Sequence, residues 1–393
     1  MILALSHGVL LGALGISGTT TAGAFAYGAV LGVTGMFFAA LTAFFAQLTP
    51  SARQATGYSF MFLIGAYLVR AVGDQTNEIL ARISPLGLVM RAQVFVRNYW
   101  WPIFIILALA IVISGLAFLL NAKRDMDQGF ITEKQGRATA SALLRTHMGL
   151  AWRLSCNTLI AWAVGMFAFG AGLGGLMGDA EAFVNESEIF QMLMQTSPDF
   201  AATELFTMLV NVLLAIVCIA PVFILVFKLC GEEKDHRTEN ILSGAVSRTN
   251  YMAGYIVIGF LATIIMPVAT TAGLWMVGSH MAEGPIYFST MLRAMVVYVP
   301  ALWVILGLAV LFVGILPKGI FLCWAYFGYI FIAGFFGDLL NMPEWSMRLS
   351  PFGFVPRLPL DQVNTAALLG LSAVAIVLTT LGIIFYKQRD IVW

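Results

Sequence analysis

Residues with the capacity for chemistry are sparse in this chain, and most stand alone. Cys156, Cys218, Cys230 and Cys323 form no C-x-x-C pair, and His7, His147, His236 and His280 are likewise isolated. A metal site needs such ligands in close pairs. The cysteines therefore read as small apolar residues, the histidines as structural or solvated ones, and no metal is expected. No Gly-Lys dipeptide occurs, which excludes a Walker A phosphate loop, and neither HExxH nor GxSxG is present. Gly170-Ala-Gly172-Leu-Gly174-Gly175 matches the GxGxxG string of dinucleotide-binding folds. It lies inside an apolar run and not between a strand and a helix, so it implies no cofactor. One dense cluster remains. Residues 231–251, GEEKDHRTENILSGAVSRTNY, bring acids and bases together between the apolar runs 205–227 and 255–277. The chemistry such a cluster can do is ionic recognition. No catalytic residue is expected, and the chain does not read as an enzyme.

The elements that position this cluster follow from composition. The 393 residues are 60% hydrophobic and only 10% charged, with mean hydropathy +0.90. Soluble domains carry about 25% charged residues, so part of the solvent here must be lipid. The net charge of +1 argues against nucleic acid as a partner. A bilayer-spanning helix needs roughly 20 apolar residues. Runs of that kind occur at 1–18, 25–47, 57–73, 100–120, 155–177, 205–229, 251–277, 294–315, 319–337 and 366–386. The predicted fold is thus an all-α polytopic membrane protein of about ten transmembrane helices. The runs 1–18, 57–73 and 319–337 are short or rich in small residues. The start, MILALSHGVLLGALGISG, lacks the basic residues of a signal peptide and reads as a span.

Lysine and arginine set the orientation. With both termini in the cytoplasm, Lys123, Lys134, Lys228, Lys234, Lys318 and Lys387 all fall on the inner side. The loop 178–204 then faces outward with Asp179, Glu181, Glu186, Glu188, Asp199 and Glu204 and no base. Arg70, Arg82, Arg91, Arg97, Arg293, Arg348 and Arg357 depart from the rule, lying outside or near a membrane edge.

The chain also repeats itself. Pro50 matches Pro317, and Gly73-Asp74 matches Gly337-Asp338. Ser84-Pro85-x-Gly87-x-Val89-x-Arg91 matches Ser350-Pro351-x-Gly353-x-Val355-x-Arg357, and Lys123-Arg124-Asp125 matches Gln388-Arg389-Asp390. The offset stays at roughly 265 residues, as one duplication would leave it. The expected organisation is two tandem, parallel copies of a six-span unit. Residues 1–130 hold the last four spans of an incomplete first half, 131–154 form a cytoplasmic linker, and 155–393 form the complete second half. By the same period, copy one would start roughly 115 residues before Met1. Parallel halves place a pathway between them, as in a transporter. The Ser-Pro-x-Gly elements supply turn chemistry and read as scaffold.

Within the cluster, Glu232, Glu233, Asp235 and Glu239 load the first half and Arg248 closes it, an order that suits a helix dipole. Thr238, Ile241, Leu242, Ala245 and Val246 share one helical face. Such a helix lies at a membrane surface or docks into a groove of a partner protein; the residues alone leave both open. The spans hold almost no Asp, Glu or His, which disfavours coupling to an ion gradient.

The pattern E-x-x-x-x-R-x-E-x-x-L followed by V-S-R resembles the coupling-helix region of type-2 ABC exporter permeases. In order, AQLTPSARQATG, LVRAVGD, SPLGLVMR, Trp100-Trp101-Pro102, KRDMDQGF, LAWRL, ENILSGAVSRTNY, SPFGFVPRLP and QRDI resemble the permeases known as exporters of polyketide antibiotics, of the tetronasin-resistance type. Members carry two six-span halves, and the resemblance implies that the first two of those spans have no counterpart in this chain. The resemblance implies a permease in a prokaryotic cytoplasmic membrane. It would move a hydrophobic or amphipathic compound outward when paired with two copies of a separate ABC ATP-binding subunit, which would bind ATP and Mg. It also implies a coupling helix at about 232–248, with Glu232, Glu233, Arg237, Glu239, Ile241, Leu242, Val246 and Arg248 forming the ATPase contact. An ion-coupled secondary exporter, or a non-transporting sensing or resistance subunit, is the alternative. No substrate residue is legible.

Overall fold

The computed structural model describes residues 20–76, 82–123, 146–179, 202–244, 246–281, 286–337, 342–358 and 361–390, with residues 6, 9, 139, 141, 144 and 340 singly. The run 1–18, the linker segment 124–138, the acidic stretch 180–200, Ala245 and Asp338 lie outside the described residues apart from those single positions. The chain is all-helical over the described residues. It divides into two compact units, Met1–Arg137 and Ala138–Trp393.

The first unit contains α1 (Thr21–Leu48), α2 (Ala52–Thr76), the short α3 (Pro85–Met90) and α4 (Trp101–Lys123). Thr20 starts α1 by accepting the Gly23 N–H on its side-chain oxygen, one of the donors a helix start leaves unpaired. Val30 of α1 clusters with Ala92 and Ile103, and Phe37 one turn pair later with Ile106 and Ala110. The paired positions rise together, so α1 and α4 run in the same direction. Ser84 donates to the Ala66 carbonyl at 2.6 Å, and Pro85 opens α3. The turn reading of Ser-Pro-x-Gly thus corresponds to a hydroxyl that ties the turn back to α2.

The second unit contains α5 (His147–Gly174), α6 (Ala202–Val217), α7 (Ile219–Lys234), α8 (Arg237–Leu242), α9 (Arg248–Met281), α10 (Phe288–Val296), α11 (Val299–Ile315), α12 (Ile320–Phe335), α13 (Glu344–Met347) and α14 (Thr365–Gln388). Helix α5 begins inside the segment 131–154 that the sequence reading gives to a linker. Thr146 caps it by accepting the Gly149 N–H, so the helix extends well beyond its apolar stretch. From α12, Tyr326 donates to the Leu349 carbonyl and Tyr329 to the Ser346 carbonyl of the turn that follows. The order long helix, long helix, short helical turn, long helix therefore closes both units.

Among the described residues, eight helical stretches are long and apolar enough to cross a membrane. They are Thr21–Leu48, Trp101–Lys123, His147–Gly178, Glu204–Lys234, Arg248–Met281, Phe288–Ile315, Pro317–Phe335 and Thr365–Gln388. The run 57–73 lies within α2, which is not one of these eight. The protein is a multi-pass, all-α membrane protein.

Glycine decides how these helices approach. A Cβ on Gly170 would run into the Thr270 carbonyl oxygen, one on Gly174 would come within 2.6 Å of the Leu274 oxygen, and one on Gly273 would run into the Phe167 oxygen. Helices α5 and α9 thus touch backbone to backbone. The GxGxxG-like string is helical through Gly174 and is a packing surface. Helices α11 and α14 meet the same way, with Gly307 against the Ala375 oxygen at 2.9 Å and Gly314 against Gly382. In hydrocarbon, close packing of this kind is a main source of helix association. Gly273→Leu is expected to lower the Tm of the detergent-solubilised chain by several degrees, since overpacking costs about 1–3 kcal/mol or more. Gly172→Leu, whose Cβ would meet nothing within 4 Å, is expected to leave it unchanged.

Candidate functional site

The charged cluster is not one helix. Helix α7 ends at Lys234, where the Asp235 N–H bonds back to the Gly231 carbonyl and the His236 N–H to that of Glu233. His236 then takes a left-handed conformation, φ 57°, and α8 starts at Arg237. This corrects the expectation of a continuous coupling helix over 232–248. The cause is local. The reversal folds Arg237 back over the end of α7, where Nη1 reaches both Glu232 carboxylate oxygens at 3.2 Å and Nη2 reaches Asp235 at 3.0 Å. The result is an elbow: α7, a tight turn, the short α8, and a second turn into α9.

The elbow has two faces. Inward, Thr238 is fully buried, 3.4 Å from the Tyr251 hydroxyl. Ile241, Leu242 and Val246 pack, half-buried, against the core of their own unit. Of the apolar stripe read from the sequence, Thr238, Ile241 and Leu242 lie on α8 and Val246 beyond its end, and all face the interior of their own unit; Ala245 lies outside the described residues. Outward, Arg237, Asp235 and Glu239 keep more than half of their side-chain surface exposed, and Glu239 bonds to His236 at 3.1 Å.

Glu233 stands apart from the other acids. Its side chain is 0% exposed. Arg389 Nη2 donates to both of its carboxylate oxygens at 2.8 and 2.7 Å, and Tyr386 donates to it at 2.8 Å. The Arg389 guanidinium also lies 5.2 Å from the centre of the Tyr386 ring. Arg248, at the start of α9, donates to the Arg389 carbonyl at 2.5 Å. Lys228 of α7 donates to the Leu154 carbonyl of α5. The elbow is therefore fastened to the ends of α5, α9 and α14. A carboxylate buried this deeply is tolerable only because a guanidinium and a hydroxyl neutralise and bond it.

Of the residues expected at the site, the structure brings together Glu232 with Arg237, and Glu233 with Arg248 through Arg389. It leaves Arg237 and Glu239 outermost. It adds Tyr386 and Arg389, which the sequence reading did not place there. Their one signal in the sequence is the recurrence of Arg-Asp after the final run of each half, Arg124-Asp125 and Arg389-Asp390.

The chain is a polytopic, all-helical membrane protein with a braced, charged elbow between two of its spans, and its similarities place it among transporter permeases. The family model described as "Multidrug efflux system permease Rv1217c, C-terminal domain" matches residues 144–387, which takes in nearly all the described part of the second unit, elbow included. The "Multidrug efflux system permease protein Rv1217c" of Mycobacterium tuberculosis is 31% identical over 389 residues, covering 97% of this chain and 70% of that protein. The chain belongs to this family of efflux-system permeases.

The latch yields a test of its own. Arg389→Ala leaves Glu233 buried without a counter-charge, a loss of about 3–5 kcal/mol, and is expected to lower the Tm in detergent sharply. Arg348→Ala removes an exposed pair with Glu344, worth about 0–1 kcal/mol, and should barely move it.

Proposed function

We propose that the chain is the membrane-spanning subunit of an ATP-driven exporter. In this reading a separate ABC ATP-binding subunit, in two copies, binds ATP and Mg and presses on the elbow. The cargo is a hydrophobic or amphipathic compound, an antibiotic among them, moved out across a prokaryotic cytoplasmic membrane. The termini and the elbow face the cytoplasm, in keeping with the distribution of lysine.

The observation that supports this best is the elbow itself. Its exposed outer face carries charges of both signs in Arg237, Asp235 and Glu239, a pattern that sets register and specificity at a protein interface. Its inner face is welded to three long helices. A push on such an element moves the helices with it instead of bending a loop. Glu233 then holds the lever, while Arg237 and Glu239 meet the partner.

The experiment is export of a lipophilic antibiotic from cells carrying the chain with and without its ATP-binding subunit. Export is expected to require that subunit and to survive collapse of the proton gradient while ATP is maintained. Glu239→Arg is expected to cut export at least about tenfold, the effect of losing roughly 1.4 kcal/mol of coupling, with chain abundance unchanged. Normal export by this variant would remove the docking role, and loss of export on collapsing the proton gradient alone would favour an ion-coupled carrier.

A further inference from the structure

A cleft of about 340 Å³ opens in the second unit between α9, α11 and α14. Its floor is Trp303, the buried Leu306 and the buried Ala375, and its rims are Phe260 on α9 and Ile376 on α14, both exposed. Helices α9 and α14 are clasped at the charged end, where Arg248 bonds the Arg389 carbonyl, and they part above it around Trp303. At 1.5 Å rise per residue, Ile256 lies roughly 12 Å from Arg248, and Thr380 to Ser372 lie roughly 14–26 Å from Arg389. The cleft is thus at the depth of the hydrocarbon, whose thickness is about 30 Å, and its mouth opens sideways.

The lining has a marked chemical bias. Phe260 and Trp303 stack with ring centres 5.3 Å apart at 22°. Trp303 Nε1 already donates to Thr263 at 3.0 Å. The hydroxyls of Ser372, Thr379 and Thr380 donate to the carbonyls of Leu368, Ala375 and Ile376 on their own helix. Every lining side-chain donor is therefore committed. What remains open to the cleft is almost wholly apolar surface, with the aromatic pair as its one electron-rich feature. An acid or an acceptor-rich molecule finds no donor here. A flat, lipophilic molecule with delocalised positive charge finds ring electrons.

We propose that this cleft is a binding site for planar, lipophilic cations that enter from the bilayer. As a station for exported cargo it rests on the exporter reading; as a binding site it does not.

The test is titration of the purified full chain in detergent micelles with ethidium, followed by fluorescence anisotropy. Saturable binding is expected. Ile376→Trp, which fills the mouth at an exposed position, is expected to weaken it at least about tenfold. Ile384→Trp, exposed on the same helix but not lining the cleft, is expected to leave it unchanged. Phe260→Leu keeps the rim apolar and removes one of the two rings; it is expected to weaken ethidium several-fold more than uncharged pyrene. The proposal is overturned if ethidium does not saturate, if the two tryptophan variants behave alike, or if a phospholipid competes where excess pyrene does not. A chain that binds ethidium as described yet supports no ATP-dependent export would sink the exporter reading and keep the cleft. Export with binding indifferent to Ile376→Trp would sink the cleft alone.

Discussion

Hydrocarbon on the outside of a helix bundle removes the usual reward for bringing apolar faces together, because lipid tails are as apolar as leucine. What remains is contact close enough to matter and polar pairs with nowhere else to go. This chain uses both. Gly170, Gly174 and Gly273 let α5 and α9 meet along their backbones, and Gly307, Gly314 and Gly382 do the same for α11 and α14. In each case the paired helices run in the same direction, one span apart in sequence. The consequence is a stiff second unit, with α7 and α11 enclosed in its core and the outer face of α14 left open.

The Glu233–Arg389 pair has meaning only within that frame. A buried ion pair is weak evidence for stability, since desolvation cancels much of its attraction. Its geometric effect is stronger: it permits one arrangement of α7 against the end of α14 and penalises others. The elbow is therefore tied to the helix whose middle forms one wall of the cleft. Arg248, at the root of α9, holds the same Arg389 from the other side, and α9 forms the opposite wall. Elbow, clasp and cleft lie in series along two helices. This continuous route of rigid elements is where coupling between the proposed docking face and the proposed cleft site would be carried.

The helices and their medium are legible in the residues alone, because in lipid each span must satisfy its backbone within itself. Eight of the ten apolar runs reappear as helices suited to a membrane, and 57–73 lies within α2. Charge alone located the elbow, since so dense a cluster cannot sit in hydrocarbon. Periodicity found the stripe of Thr238, Ile241, Leu242 and Val246, yet could not say what it faces; packing turned it toward the protein's own core. Nor could local sequence foresee the break at His236. Its left-handed conformation accompanies Arg237 folding back onto Glu232 and Asp235, charge contacts five and two positions away that override helix propensity. The clasp is furthest from anything a sequence displays. Glu233 and Arg389 are separated by 156 positions, and nothing in the neighbourhood of either marks it as buried. Only the folded chain, by bringing the end of α14 beneath the elbow, decides which of several adjacent acids is a surface charge and which is a structural one.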